Sequence, residues 1–313
     1  LSRRQRQMCI RDSYKAYKEK DLVKIELKKK TDKPYLELQK MVGLSEVKKV
    51  TDEILAAAKM QKMRKQMGLP GVQLSMHMLF SGNPGTAKTT VARLLSQVLK
   101  EEEVLKYGHI VECGRQDLVG KYVGWTAQIV ESKFQAARGG ILFIDEAYSL
   151  VEDNRTYGAE AINTIVQEME NYRDEVIVIF AGYPEKMKEF LEQNEGLASR
   201  IAFHLNFPDY SPEELTQILE LMLEKSEYRM DERTREKCFS ICADACREEN
   251  YGNGRFVRNL LDHAIMCQAD RLIREHQNGT LEKEEACLLT ADDFEMIGLK
   301  KKPQIRQIGF CAG

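Results

Sequence analysis

The chain has 313 residues, with 47 lysines and arginines against 49 aspartates and glutamates for a formal net charge of −2. That balance excludes a global electrostatic pull toward nucleic acid or a membrane surface, and charges of mixed sign suit solvated helix faces. No apolar run approaches the ~18 residues of a transmembrane helix, and the eight cysteines, without secreted-domain spacing, read as reduced thiols. With no apolar leader ahead of the first charges, a cytoplasmic location is expected. The length suffices for one large or two modest domains.

Residues 1–13, LSRRQRQMCIRDS, show no apolar period. They resemble translated read-through of a sequencing adapter, with a genuine basic arm as the alternative, and are set aside from the fold. Residues 14–40 are dominated by Lys and Glu, are broken by Pro34, and read as a charged, partly helical linker. Met41-Val42-Gly43-Leu44 then precedes Ser45, a candidate cap for a helix whose apolar face is Val47, Val50, Ile54, Leu55 and Ala58. Gly68-Leu69-Pro70-Gly71 ends that helix.

The most informative stretch follows. Met76, Met78, Leu79 and Phe80 predict a buried strand, and Val91, Ala92, Leu94, Leu95, Val98 and Leu99 have helical spacing. Between them runs Gly82-Asn83-Pro84-Gly85-Thr86-Ala87-Lys88-Thr89-Thr90. Strand, glycine-bearing loop with Lys-Thr, and helix form the context of a phosphate-binding loop. Successive backbone N–H groups and a new helix N-terminus make a concave anion site. In such a loop Lys88 would reach the β- and γ-phosphates of ATP, and the Thr89 hydroxyl would ligate Mg²⁺. The pattern asks for Gly where this chain has Ala87, which matters only if φ there is positive.

Further along, His109–Cys113 reads as a short strand, helix is expected to about Arg138, and Ile141-Leu142-Phe143-Ile144 is a buried strand that ends on Asp145-Glu146. A helix over about 158–172 carries Ile162, Ile165, Val166 and Met169. Val176–Ala181 is an uninterrupted apolar strand, and Leu205-Asn206-Phe207 a last short one. Apolar runs alternating with helices predict an α/β fold with a parallel sheet covered on both faces. A buried parallel strand would deliver Asp145 to Mg²⁺ and Glu146 to the attacking water as general base. Beyond 208 no strand is expected. Ser211-Pro212-Glu213-Glu214 starts a helix, and helical periods follow over Leu215–Leu223, Arg233–Glu248 and Phe256–Ile273, with a short piece after Thr290. The expected organisation is therefore a nucleotide-binding α/β domain at 41–207, a helical lid at 208–298 and a basic tail at 299–313. Cys238, Cys242 and Cys246 share one helix face; nothing completes a metal set, so they read as small buried hydrophobes.

The order of these motifs resembles the AAA+ ATPases: a phosphate loop, LVGKYVGWTA, FIDEAYSL, VIVIFAGYPEKM, GLASRIAFHLNFPDYSPEEL and GNGRFVRN. The likeness is closest to the branch holding stage V sporulation protein K and the red-type rubisco activase CbbX, and it covers about 35–300. The resemblance implies several roles. Arg200 matches an arginine finger reaching a neighbouring subunit's γ-phosphate. Arg255 matches the arginine that carries lid position to the nucleotide, with Arg258 as the alternative. Tyr183 stands where many members place an Asn or Thr sensor, though it could equally pack in the core. Met41, Val42 and Gly43 resemble the segment lining the adenine. Lys121-Tyr122-Val123-Gly124 resembles the pore loop that grips a polypeptide, the alternative being that Tyr122 and Trp125 anchor a helix start; Tyr157-Gly158 is a weaker second candidate. The implied protein is an ATP hydrolase in a homo-oligomeric, hexameric ring that remodels or threads a protein substrate. Two alternatives stay open: a nucleic-acid motor or clamp loader on the same fold, and an assembly scaffold that binds ATP but hydrolyses it weakly.

Overall fold

The structure, a computed structural model, describes residues 34–69, 75–120, 122, 124–151, 158–248, 251–275 and 282–294. The leader 1–13, most of the 14–40 linker, Lys121, Val123, Tyr157 and the tail 299–313 lie outside the described residues.

Five strands build one sheet: β1 (His77–Gly82), β2 (Ile110–Cys113), β3 (Gly140–Ile144), β4 (Val176–Gly182) and β5 (Ile201–Phe207). They run parallel in the order β2-β3-β4-β1-β5. Every residue of β3 and β4 is buried, as sheets covered on both faces require. Because side chains alternate across a strand, the sheet divides its apolar residues between two cores. Met78, Phe80, Ile141, Phe143, Ile177 and Ile179 face one side, under the helices Ser45–Gln66 (α2) and Lys88–Glu101 (α3). Leu79, Leu142, Ile144, Val178 and Phe180 face the other, under Trp125–Ala137, Gly158–Asn171 and Pro184–Glu192. The first core continues into the C-terminal helices through Leu215, Leu219, Cys238, Cys242, Val257 and Leu260. Cys238 and Cys242 are thus packing residues, and burial pushes their thiols up to about 12 and about 11.

A first helix, Pro34–Lys40 (α1), falls within the stretch read as linker, and it places Leu38 in the core at 1% exposure. Pro34 opens this helix, where the missing N–H costs nothing. Ser45 does not cap α2 from outside, as expected, but is its first residue. Leu44, with φ 57, holds the preceding position and accepts from Lys48 N.

The expectation of no strand beyond 208 is corrected. Arg229–Met230 (β6) pairs in parallel with Leu288–Leu289 (β7) beside the lid helices. Two residues are too few to leave a period-2 pattern, so only the folded lid reveals them. After β7, residues 291–293 form a turn. Asp293 locks it by accepting from Thr290 N at 2.8 Å and pairing with Arg271 at 2.9 Å. No described helix is long and apolar enough to cross a membrane.

Candidate functional site

Parallel strands bring all their C-terminal ends to one edge of the sheet, where open α/β folds bind ligands. There β1 ends at Gly82, β3 at Ile144 and β4 at Gly182, so the phosphate-loop pattern, Asp145-Glu146 and Tyr183 share an edge. Two glycines in the loop are sterically required. A Cβ on Gly82 would lie 2.5 Å from the Phe207 carbonyl oxygen, and Gly85, at φ 80, would drive one into the Gly252 carbonyl.

Ala87 adopts φ 70, ψ 17 immediately before α3 begins. That is the left-handed region, where a Cβ is costly, and the phosphate-loop pattern places Gly there. We expect Ala87→Gly to stabilise the protein by about 1 kcal/mol, read as an increase in urea midpoint at unchanged slope. A lower midpoint would mean that the loop is relaxed as built.

Lys88 spans the loop. Its Nζ donates to the Gly82 carbonyl at 2.6 Å and the Asn83 carbonyl at 2.9 Å. Thr86, fully buried, donates to the same Asn83 carbonyl at 2.7 Å. Burial lowers the Lys88 pKa; Asp145 opposes this, Arg255 lowers it further, and Asp209 and Glu146 oppose. The charged groups acting on Lys88 are therefore the strand-end carboxylates and the lid arginine, all named from the sequence, together with Asp209, which was not. Thr89 is half-buried and Thr90 exposed in the first turn of α3.

Asp145 and Glu146 are both exposed. Asp145 Oδ1 accepts from Glu146 N at 3.0 Å, and Asp145 N donates to the Cys113 carbonyl at 2.9 Å, fixing it to β2. Glu146 sits at φ 49, ψ 45, a strained conformation for a side chain with Cβ, of the kind that gathers at functional sites. A hydroxyl and a carboxylate are the hard oxygen donors that suit Mg²⁺, which keeps waters and binds phosphate rather than seeking a protein cage. Among the described residues no three His, Cys, Asp or Glu side chains form such a cage.

Arg255 is exposed in the first turn of Gly254–Glu275, and its charge lowers the Lys88 pKa; Arg258, also exposed, lies one turn further along the helix. Tyr183 is half-buried; its ring lies 5.8 Å from that of Tyr148 and packs on the second core, the packing alternative named above. Met41, Val42 and Gly43 form the bend between α1 and α2. The Met41 carbonyl accepts from Lys48 Nζ at 2.6 Å, and Gly43 abuts the Glu214 carboxylate at the start of the lid.

Two predicted groups lie elsewhere. Arg200 precedes β5, at the N-terminal edge of the sheet, away from its own phosphate loop. Its Nη1 donates to the Gly196 carbonyl at 3.0 Å, and Glu170 lies 3.6 Å from its Nε. Beside it a cavity of about 260 Å³ is lined by Ser75, His77, Glu170, Arg173 and Ser199. His77 Nδ1 accepts from Val178 N there at 3.0 Å, and burial pulls its pKa down to about 4. Tyr122, 63% exposed, stacks edge-on to Trp125 at 4.9 Å, just before Gly124 at φ 78. Both aromatic residues are thus largely exposed while Trp125 begins a helix.

Sequence reasoning missed Asp209 and Asn253, which join the phosphate loop to the lid. Asn253 was visible within GNGR, but no local pattern says that its amide reaches Asp209 at 2.7 Å.

Comparison with known proteins adds the following. Residues 78–209 match the family profile for ATPases associated with various cellular activities, and residues 211–304 match the AAA lid domain. The chain is 43% identical over 236 residues to the chloroplastic ribulose bisphosphate carboxylase/oxygenase activase of Cyanidioschyzon merolae, covering 75% of this chain and 80% of that one. It is 41% identical over 258 residues to the chromosomal CbxX protein of Cupriavidus necator, covering 82% and 81%, and 40% identical to a CfxQ homologue of Cyanidium caldarium, covering 82% and 90%. In fold it is similar to the AAA domain of FIGL-1 in complex with ADP, with a TM-score of 0.57 and 22% identity, over 82% of this chain and 80% of that one.

Proposed function

The chain belongs to the AAA ATPase family, in its CbbX-like branch, and from that premise we propose a ring-forming ATP hydrolase that remodels or threads a protein partner. One observation carries the reading. Asp145, Glu146 and Arg255 all act on Lys88 at one edge of the sheet, while Arg200 is held at the other. A head-to-tail contact between copies would bring the Arg200 edge of one subunit to the phosphate edge of the next. Such heterologous contacts close into a ring where the rotation between copies allows it, and six subunits are the closure proposed here.

ATP would lie with its phosphates against the N–H groups of 82–89 and Lys88, and with its base toward Met41, Val42 and Gly43. Thr89 and Asp145 would hold Mg²⁺, which when bound neutralises phosphate charge and fixes the geometry of the leaving oxygen. Glu146 would take a proton from the attacking water. Arg255, at the start of the lid, would register the γ-phosphate, and Tyr183 would supply a phenolic hydroxyl at the end of β4. The neighbour's Arg200 would spread its charge over the phosphoryl oxygens in the transition state.

The partner is proposed to be a polypeptide because Tyr122 is a large exposed aromatic beside a left-handed glycine, and its grip would need no sequence-specific hydrogen bonds. Tyr122→Ala should leave ATP turnover within about twofold of wild type, since it loses surface contacts only, and should abolish ATP-dependent unfolding of the client. The client can be captured on ATP-filled Glu146→Gln protein. Full remodelling by Tyr122→Ala would refute threading through this loop. The positive φ of Ala87 favours a second reading, a weakly hydrolysing scaffold. Steady-state phosphate release at micromolar protein decides between them, and DNA-stimulated rather than protein-stimulated turnover would instead support a nucleic-acid motor.

A further inference from the structure

Asp209 lies two residues past β5, in the hinge between the sheet and the lid, and its carboxylate gathers two amides from opposite sides of that hinge. From the phosphate loop, Asn83 Nδ2 donates to Oδ2 at 2.9 Å and to Oδ1 at 3.1 Å. From the start of the lid, Asn253 Nδ2 donates to Oδ1 at 2.7 Å. Asn253 is 1% exposed at φ 52, and its amide is fully engaged: Oδ1 accepts from Tyr210 N and Tyr251 Oη at 2.9 Å each, while Nδ2 also approaches the Pro84 carbonyl at 3.4 Å. The backbones touch as well, Gly254 N donating to the Gly85 carbonyl at 3.1 Å.

The loop side of this network leads to Lys88. The Asn83 carbonyl accepts both Lys88 Nζ and the Thr86 hydroxyl, so a phosphate that draws Lys88 away removes one of the restraints on Asn83. The Asn83 side chain, on the same residue, is the one that Asp209 holds. Asp209 also acts electrostatically on Lys88, so an arriving phosphate brings like charge toward the carboxylate at the centre of the network.

We propose that Asp209 is a positioning residue that couples the phosphate loop to the lid, one carboxylate holding Asn83 and Asn253 so that the occupancy of the loop is felt at the start of the lid helix. This rests on the nucleotide-site reading above. It differs from a role for Arg255 as a direct phosphate contact, because Asp209 is bonded to the loop and to the lid through the two asparagines. Groups in one hydrogen-bond network depart from additivity, and that departure is the signature of the coupling.

The test uses the full chain and a fluorescent ADP. Asp209→Ala should release ADP about tenfold faster, the size of effect that loss of a charge-assisted hydrogen bond gives. Asn83→Ala should speed release as well, yet add little in the Asp209→Ala background. Hydrogen exchange supplies a readout that a purely structural role would not move: at saturating ADP the wild type should gain protection at 251–258, and Asp209→Ala should lose most of that ADP-dependent gain. Should Asp209→Ala fail to fold, Asp209→Asn keeps the shape and one acceptor oxygen, and about threefold faster release is expected. Effects of Asp209 and Asn83 that simply multiply, or an unchanged ADP-dependent gain at 251–258, would overturn the coupling. A wild type that binds no ADP would overturn the nucleotide reading, and this inference with it.

Discussion

Glu146→Gln should retain ATP and lose its hydrolysis, with turnover lowered about 10²–10⁴-fold, the span usual for a general base. The substitution keeps the size of the side chain and leaves the phosphate loop alone. Gln tolerates the left-handed φ of 49 no worse than Glu does, so the backbone of Asp145-Glu146 should keep its path. What disappears is a carboxylate able to accept a proton. Affinity for ATP rests on the N–H groups of 82–89 and on Lys88, and so should stay within about twofold. Fluorescent-nucleotide binding and single-turnover phosphate release separate these quantities. If the Gln variant hydrolyses bound ATP at a third or more of the wild-type rate, Glu146 is not the base. A parallel loss of binding would instead place Glu146 among the groups that shape the loop.

How much of this site could be read from the chain differs from residue to residue, for physical reasons. The central strands β3 and β4 were legible because a parallel sheet buried on both faces needs unbroken apolar runs, and Ile141–Ile144 and Val176–Ala181 contain little else. The edge strand β5, Ile201–Phe207, was read only over 205–207 because exposed residues interrupt its apolar ones. The phosphate loop was legible because its demands are local: glycines where neighbouring backbone presses in, then a lysine at the start of a helix. The sequence posed the Ala87 question, but only φ answers it. Asp209 stayed hidden because its meaning lies in contacts 126 and 44 residues away, with Asn83 and Asn253. The hold of Glu170 on Arg200 is equally non-local, and β6 and β7 are too short to declare themselves. Tyr183 remained evenly balanced in sequence because a phenol serves a core or a water equally well; its contact with Tyr148 is the packing one.

Arg200→Ala should cost turnover about 10³–10⁵-fold, the range of an arginine supplied from a neighbouring subunit to a phosphoryl transfer. It should leave ATP binding nearly intact, because the side chain lies at the sheet edge opposite Lys88. Stability should change little as well, since the Glu170 contact is 3.6 Å long and both groups are partly solvated. A loss of this size with binding preserved would still be compatible with a finger acting within its own subunit, and mixing experiments remove that ambiguity. Lys88→Ala protein is expected to be inactive by itself because its loop cannot hold the phosphates, yet it keeps Arg200. Combined in equal amounts with Arg200→Ala protein, it should restore activity at about one quarter of the interfaces if subunits assort at random around a head-to-tail ring. Turnover per subunit should also rise with protein concentration in the wild type, as assembly completes the site. Undiminished hydrolysis by Arg200→Ala would remove the finger altogether. Silence in the mixture would confine each site to one chain, and the ring would then have no chemical reason to exist.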